Sequence, residues 1–392
     1  MESIAMTING MKVTGRSDAT ILSVAEQNGF FIPTLCHHPD LKPHGACRMC
    51  LVEDEKSGRL MASCVTPAAK DMSIRIDSPR IIDHRRNIVR LMMAEHPESC
   101  IVCSKGNRCE LRAMAARLGV AEHRLYPMPN HKPYEELNPF IIRDLSKCIL
   151  CGKCIRADHE LVGVGAIDYN DRGFGSRPAT LLENPLEKSS CTFCGTCVSV
   201  CPTGALSTKH DGFIGTPEKH ADSVCGFCGA GCSLTMGTGG ERIASVDPSR
   251  MNGSVNAGTL CVRGHFAHDF LNSPDRLHEP MFRASGDTGE EVLKPASWEE
   301  AISRVAATLA GIKRQHGPAS IAFMGSSKCS NEENYLFQKI ARALFETNNV
   351  ATTGLLNGQA LLRRIEDNTM GAARVAPLSG LEQAEVILTV HV

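Results

Sequence analysis

"CTFCGTCVSVCP", residues 191–202, sets Cys191, Cys194, Cys197 and Cys201 in the pattern C-x2-C-x2-C-x3-C-P. Thiolates at this spacing hold cubane iron–sulfur clusters. Upstream, "CILCGKCIRADHE", residues 148–160, repeats the first three positions as Cys148, Cys151 and Cys154, but four residues after Cys154 stands Asp158. When two such runs share a domain, the fourth cysteine of each ligates the other run's cluster. The pair therefore predicts one [4Fe–4S] cluster on Cys148, Cys151, Cys154 and Cys201. It predicts a second on Cys191, Cys194 and Cys197, with Asp158 in the place of the fourth thiolate. A carboxylate is a harder ligand than a thiolate, so one iron should be labile. The expectation is a [4Fe–4S] cluster with Asp158, or neighbouring His159, on that iron; the alternative is a [3Fe–4S] cluster without it.

Working outward, the remaining cysteines sort in the same way. The chain has 392 residues and nineteen cysteines. The N-terminal "MESIAMTINGMKV" has neither the basic nor the apolar region of a secretory signal. A cytoplasmic location is expected, where thiols bind metal more often than they form disulfides. Cys36, Cys47, Cys50 and Cys64, with gaps of ten, two and 13 residues, suit a [2Fe–2S] centre of ferredoxin type. Before them, "AMTINGMKV" alternates around an Asn-Gly turn, a hairpin signal. Asp18 is placed to cap a helix over "ATILSVAEQN" that Gly29 closes. Hairpin, helix and cluster loop together predict a β-grasp ferredoxin. His37 and His38, inside the loop, read as solvated or supporting side chains.

His96, Cys100, Cys103 and Cys109 form a further group, with gaps of three, two and five. Imidazole can replace thiolate on iron, so a [4Fe–4S] site of one histidine and three cysteines is expected, with zinc as the alternative. Cys225, Cys228, Cys232 and Cys261 follow, with gaps of two, three and 28; the long gap reads as a β meander returning to the cluster. All but Cys329 are then used, and Cys329 reads as a structural thiol at a strand-to-helix turn. The implied inventory is one [2Fe–2S] and four cubane clusters.

Beyond residue 276 the pattern becomes helix–strand–helix–strand, an α/β domain. Ser297 and Glu300 have capping-box spacing. Ile302, Val305, Leu309 and Ile312 mark one helix face, ended by Gly317-Pro318. "SIAF", 320–323, reads as a strand, and "NEENYLFQKIARALF" as a helix from Asn331. Charges nearly balance, 42 basic against 43 acidic, which argues against a nucleic-acid partner. No apolar run reaches a membrane span. No G-x-G-x-x-G opens a dinucleotide site, since "GVGAID" around Gly163 and Gly165 is incomplete.

This order of motifs resembles a known family. The first 210 residues resemble the N-terminal module shared by the large iron–sulfur subunit of complex I, NAD-dependent formate dehydrogenases and iron-only hydrogenases. Cys225 through "LCVRGHF" is similar to the cluster domain that opens the molybdopterin oxidoreductases, and "GSSKCSNEENYLFQKIARALFETNNV" to the formate dehydrogenase segment after it. The resemblance implies an α+β multi-domain chain. Its parts are a [2Fe–2S] ferredoxin-like domain (1–80), a [4Fe–4S] domain with one histidine and three cysteine ligands (81–135), a 2[4Fe–4S] ferredoxin-like domain (136–218), a molybdopterin-oxidoreductase-type [4Fe–4S] domain (219–275) and a truncated α/β domain (276–392). It places Arg263 between cluster and pterin. The positions of the metal-ligating Cys or selenocysteine and the following His are held by Asn357 and Gly358, so no Mo or W pterin is expected, and Arg263 then compensates cluster charge. What the resemblance implies is an electron-transfer subunit beside a flavoprotein that binds NAD(P)H and FMN, a small [2Fe–2S] subunit, and ferredoxin or a further catalytic subunit. The alternative is a Mo- or W-dependent formate dehydrogenase, whole or as a fragment.

Overall fold

The computed structural model describes residues 3–97, 99–120, 133–135, 138–209, 217–240, 242–249, 254–285 and 291–352. It divides into two compact units. One is Met1–Ser223 with Leu234–His268; the other is Val224–Ser233 with Asp269–Val392.

The first unit begins with β1 (Ser3–Ile8) and β2 (Met11–Arg16), paired antiparallel from Ser3↔Arg16 to Ile8↔Met11. Asn9 and Gly10 turn the hairpin with φ of 48° and 80°, the geometry that an Asn-Gly pair tolerates at low cost. α1 (Ile21–Gln27) is capped by Thr20, whose side chain accepts from the Ser23 amide at 3.2 Å. Asp18, expected as the cap, is instead held by the Arg16 guanidinium through two hydrogen bonds of 2.9 and 2.6 Å. The bidentate ion pair competes with the helix terminus for the same carboxylate. Gly29 follows the helix at φ 77°. β3 (Leu51–Asp54), β4 (Leu60–Ala62) and β5 (Ser73–Arg75) complete a sheet of order β2-β1-β5-β3-β4, in which β1 and β5 run parallel. Its core joins Met6, Ile8, Val52 and Ile74 to Ile21, Leu22 and Val24 of α1. Each fully buried Ile or Leu there contributes roughly 1.5–3 kcal/mol.

α2 (Pro79–Glu95) starts at Ser78, which accepts from the Ile81 amide, and carries Pro79 in its first turn. α3 (Glu110–Arg117) packs near it; Val89, Leu111, Met114 and Ala115 share one apolar cluster with Leu35, Met49, Cys36, Cys47 and Cys151. β6 (Tyr134–Glu135) and β7 (Ile141–Asp144) lead to α4 (Lys153–Ala157), which runs on into a π-helical turn over Asp158–Val162. β8 (Ile167–Asn170) and β9 (Arg177–Thr180) form a hairpin. α5 (Thr196–Ser199) and β10 (Leu206–Thr208) follow, and β7 lies between β10 and β6. β11 (Lys219–Val224), β12 (Ser233–Gly239) and β13 (Arg242–Pro248) lie side by side in chain order; the antiparallel pair β12 and β13 occupies the gap between Cys232 and Cys261 where the sequence predicts a meander, and β11 precedes that gap. α6 (Val262–Phe266) ends the unit, with Phe266 stacked on Phe140 at 5.3 Å.

In the second unit, β14 (Met281–Ser285) and β15 (Glu291–Pro295) pair antiparallel ahead of α7 (Trp298–His316). Ser297 accepts from the Glu300 amide at 3.1 Å; the reciprocal box forms at Ser330 and Glu333, opening α8 (Asn331–Ala343). β16 (Phe323–Gly325) runs parallel to β17 (Val350–Thr352). The strand therefore begins later than "SIAF" suggests, because Ser320 is tied back to the Gly317 carbonyl through both its amide and its hydroxyl. Leu309 and Ile312 of α7 pack against Ile321, Phe323 and Ala341, whereas Ile302 and Val305 are 63% and 55% exposed. Only the C-terminal half of the stripe reaches that cluster. Among the described residues no helix is long and apolar enough to cross a membrane.

Candidate metal centres

All nineteen cysteines are thiols rather than disulfides. Among the described residues no group of three or more His, Cys, Asp and Glu side chains is drawn close enough to hold a lone metal ion. The thiols gather instead around loops and cavities.

The β3–β4 hairpin closes the gap between Cys50 and Cys64, because Leu51 pairs with Ala62. Their sulfurs stand 3.3 Å apart. The Cys47 amide donates to Cys36 Sγ at 3.5 Å, and all four thiols of this group are buried. Hydrogen bonding from Cys47 and Cys64 holds the Cys36 thiol well below its ordinary range, and Cys64 lowers Cys50 to about 6. Four buried thiols gathered in this way suit a site built for thiolates. His37 and His38 are half-buried beside them rather than solvated. Burial lowers His37, and His38 lies 4.0 Å from Asp40.

His96 terminates α2, the Cys100–Val102 turn follows, and Cys109 caps α3. Burial, then the Lys147 charge, lowers His96 to about 4, so its imidazole is neutral at pH 7, as a metal ligand must be. Cys109 is raised by burial and then by the neighbouring Cys103 and Cys100. A Cβ on Gly204 would lie 2.4 Å from Cys103 Sγ, and Glu110 N donates to Pro202 O at 2.8 Å. This loop therefore rests directly on the segment after Cys201.

The two C-x2-C-x2-C runs fold alike. Leu150 and Phe193 both take φ 53°, and Gly152 and Gly195 take 69° and 78°. The Leu150 amide donates to Cys148 Sγ, and the Phe193 amide to Cys191 Sγ, both at 3.4 Å. One cavity is lined by Cys148, Cys151, Cys154 and Cys201 among Leu145, Ile149, Ile167 and Leu206. A second is lined by Cys191, Cys194, Cys197 and Asp158 among Ile141, Val162, Ile167 and Leu186. Arg143, paired with Glu135 at 2.7 Å, lies in the wall of both. Burial pushes the Cys151 thiol up to about 12 and raises Cys154 and Cys197 as well. Sulfurs so placed become thiolates only when a cation enters the cavity, and coordination deprotonates a thiol outright. The donor set fits an iron–sulfur cluster in each.

Asp158 Oδ2 accepts from the Ile167 amide at 3.0 Å. His159 turns the other way, with Nε2 3.1 Å from Ile167 O and 3.9 Å from Asp168. Of the two candidates, Asp158 faces the thiols. Gly163 and Gly165, both at positive φ, shape the end of this turn.

Cys225, Cys228 and Cys232 belong to the second unit, where the Cys225 amide donates to Cys232 O at 2.8 Å. Cys261 belongs to the first and caps α6. Arg263 is exposed, whereas His265 is buried. A Cβ on Gly195 would lie 2.6 Å from the His265 ring. Cys329 is exposed in the turn before α8. Asn357 and Gly358 lie outside the described residues. The sequence reading missed His265, for which Arg263 was the conspicuous neighbour. It also missed Arg85, Lys105 and Arg156, which carry no spacing signature.

Family models match the chain end to end. They are a 2Fe-2S iron-sulfur cluster binding domain (1–79), the NADH-ubiquinone oxidoreductase-G iron-sulfur binding region (85–124), a 4Fe-4S dicluster domain (147–205), the molybdopterin oxidoreductase Fe4S4 domain (218–273) and molybdopterin oxidoreductase (276–392). The chain is 35% identical, over 99% of its length, to NADPH-Fe(3+) oxidoreductase subunit alpha of Geobacter sulfurreducens, and covers 44% of that protein. It is 37% identical over 88% of its length to a G-type subunit of the NADH-quinone oxidoreductase of Rhizobium meliloti, covering 40% of it. It is 34% identical over 89% to a putative formate dehydrogenase of Bacillus subtilis, covering 39%. The chain thus spans less than half the length of these relatives. A chain in the crystal structure of an NAD+-reducing [NiFe]-hydrogenase superposes with TM-score 0.52 at 30% identity, over 55% of this chain and 92% of that one. The chain combines a 2Fe–2S domain with several 4Fe–4S domains in a mixed α and β architecture, and it belongs to the family of iron–sulfur oxidoreductase subunits that includes the G-type subunits of NADH-quinone oxidoreductase and the formate dehydrogenase-like proteins.

Proposed function

We propose that this chain is the multi-cluster electron-transfer subunit of a cytoplasmic NAD(P)H-linked oxidoreductase complex. The observation that carries the reading is the pair of cavities, each lined by three cysteines of one run and a fourth donor supplied by the other, Cys201 or Asp158. The ligand sets are Cys36, Cys47, Cys50 and Cys64 for a [2Fe–2S] centre on a β-grasp sheet. For cubane clusters they are His96 with Cys100, Cys103 and Cys109; Cys148, Cys151 and Cys154 with Cys201; Cys191, Cys194 and Cys197 with Asp158; and Cys225, Cys228 and Cys232 with Cys261. Bound there, the clusters accept and release single electrons.

In the first unit, apolar side chains join several of these sites. Leu35, Met49, Val89 and Leu111 form one apolar cluster that touches Cys36 and Cys47, Cys109, and Cys151, so three sites share an apolar wall. Ile141, Ile167 and Leu206 do the same between Cys154 and Cys197. The domain limits read from the sequence, 1–80, 81–135, 136–218, 219–275 and 276–392, belong to this proposal. So do the partners: a flavoprotein binding NAD(P)H and FMN, a small [2Fe–2S] subunit, and ferredoxin or a further catalytic subunit. Cysteines kept as thiols suit a reducing compartment. A second reading, a Mo- or W-dependent formate dehydrogenase, draws on the molybdopterin oxidoreductase match over 276–392 and the putative formate dehydrogenase relative.

Elemental analysis of the anaerobically purified native complex separates the two. About 18 iron atoms per chain, with no Mo or W assignable to it, is expected. Stoichiometric Mo or W on this chain gives the second reading first place, and iron far below that number sinks both.

A further inference from the structure

Several inward-facing basic side chains of the first unit meet a carboxylate: Arg143 meets Glu135 at 2.7 Å, Lys147 meets Asp144 at 2.8 Å and Lys153 meets Glu110 at 3.2 Å. Three basic side chains are bound differently. Arg85, 5% exposed, donates from Nε to Met49 O at 2.9 Å, from Nη2 to Leu51 O at 2.8 Å and from Nη1 to Ile76 O at 2.8 Å. Lys105, 8% exposed, donates to Val198 O at 2.6 Å and Cys201 O at 3.1 Å. Arg156 donates to Cys36 O and Lys42 O, both at 2.6 Å, and its Nε is buried without a partner. Among the described residues none of the three forms an ion pair.

The carbonyls they hold have a pattern. Those of Met49 and Leu51 flank Cys50, and the others include those of Cys36 and Cys201. Each cation also comes from elsewhere in the chain. Arg85 lies on α2, Arg156 on α4, and Lys105 between Cys103 and Cys109. A buried cation such as Arg85 or Lys105 that hydrogen-bonds only neutral carbonyls has a desolvation cost that those carbonyls do not repay, and half-buried Arg156 shares that cost in part. A cluster on four thiolates is the missing counter-charge, because its net charge is negative. Here the neighbouring cluster sites stand where the carboxylates are lacking.

We propose that Arg85, Arg156 and Lys105 are counter-cations of the cluster sites they touch and raise the reduction potential there. Arg85 and Arg156 serve the Cys36–Cys64 site, and Lys105 serves the site of Cys148, Cys151, Cys154 and Cys201. The inference rests on the ligand sets proposed above. One-electron reduction adds a negative charge to the site, and a fixed positive charge beside it favours the reduced state. At Arg85 and Lys105, burial keeps salt from screening that interaction. As positioning residues, the three also pin the backbone at the ligand cysteines.

The test is a redox titration, reduced with dithionite and followed by EPR, on the native complex carrying Arg85→Met, Arg85→Lys, Lys105→Met or Lys105→Arg, with iron counted in each. Arg85→Met is expected to move the [2Fe–2S] midpoint to more negative potential and leave the cubane midpoints in place. Lys105→Met is expected to move one cubane midpoint and leave the [2Fe–2S] signal unmoved. The charge-keeping variants stay near the wild type. Such selectivity is a response that loosened packing does not give. Iron lost only from the two methionine variants also supports the proposal. Unshifted midpoints in both methionine variants at full iron overturn it, as do shifts shared by every signal, or iron lost from all four variants. Absence of a [2Fe–2S] signal in the wild type removes the ligand assignment itself, and the inference with it.

Discussion

Asp158 was legible as an anomaly because cluster motifs are strict in spacing, so one wrong residue type in a right position stands out. Its surroundings were not legible: only the fold shows that its carboxylate accepts from the Ile167 amide while lining the cavity of Cys191, Cys194 and Cys197. Asp158→Ala is expected to yield a strong three-iron EPR signal in oxidised, anaerobically prepared protein, and Asp158→Cys to suppress it. His159→Ala should match the wild type, since His159 is turned toward β8. A three-iron signal already dominant in the wild type would count against Asp158 as a ligand. His265 offers a pH test. Burial lowers it from the ordinary 6.5 to about 4, so below pH 6.5 the unfolded chain takes up a proton that the native state refuses. The native state's advantage is complete above 6.5 and is lost as pH falls toward 4, about 2 kcal/mol between pH 7 and 5. Melting temperature should therefore fall more steeply over that range in the wild type than in His265→Phe. Arg85, Lys105 and Arg156 were invisible beforehand, because a long basic side chain reads the same in sequence whether it is solvated or buried.

The elements were legible wherever a local rule sets them. The Asn9-Gly10 hairpin, α7 with its Gly317 stop and the start of α8 all form where turn and cap residues say. The errors arose where a second local bond competed: Arg16 took Asp18 from α1, and Ser320 delayed β16. The matched loops after Cys148 and Cys191 were legible as spacing but not as backbone. Leu150 and Phe193 at φ 53° sit where L-residues are strained by roughly 1 kcal/mol or more, which is tolerated when a cluster loop over-determines the turn. Close approach between elements was likewise hidden. Gly204 has an ordinary backbone, yet a Cβ there would lie 2.4 Å from Cys103 Sγ. Gly204→Ala is expected to displace that loop and lose about one cubane, about four iron atoms per chain, while the [2Fe–2S] EPR signal persists. Full iron content in this variant would show that the loop yields without losing its ligands.

At the scale of the whole molecule, six cysteines of the first unit are built into its apolar clusters: Cys50 and Cys64 into one, Cys36, Cys47 and Cys151 into another, Cys154 into a third. The second unit has an apolar cluster, around Ile321, Phe323 and Ala341, that contains no cysteine. Stripping iron with a chelator should therefore open Met1–Ser223 to limited proteolysis and leave α7 and α8 protected; equal digestion of both regions would contradict this. Contacts between loops carry one more consequence. Gly204 leaves no room beside Cys103 Sγ, and Lys105 is tied to the carbonyls of Val198 and Cys201. Once that clasp has shut, neither neighbouring pocket opens without disturbing the other. Maturation thus has a calendar as well as a map: the iron donor must visit while the chain is still ajar, and late repair of one centre means unlatching its neighbour.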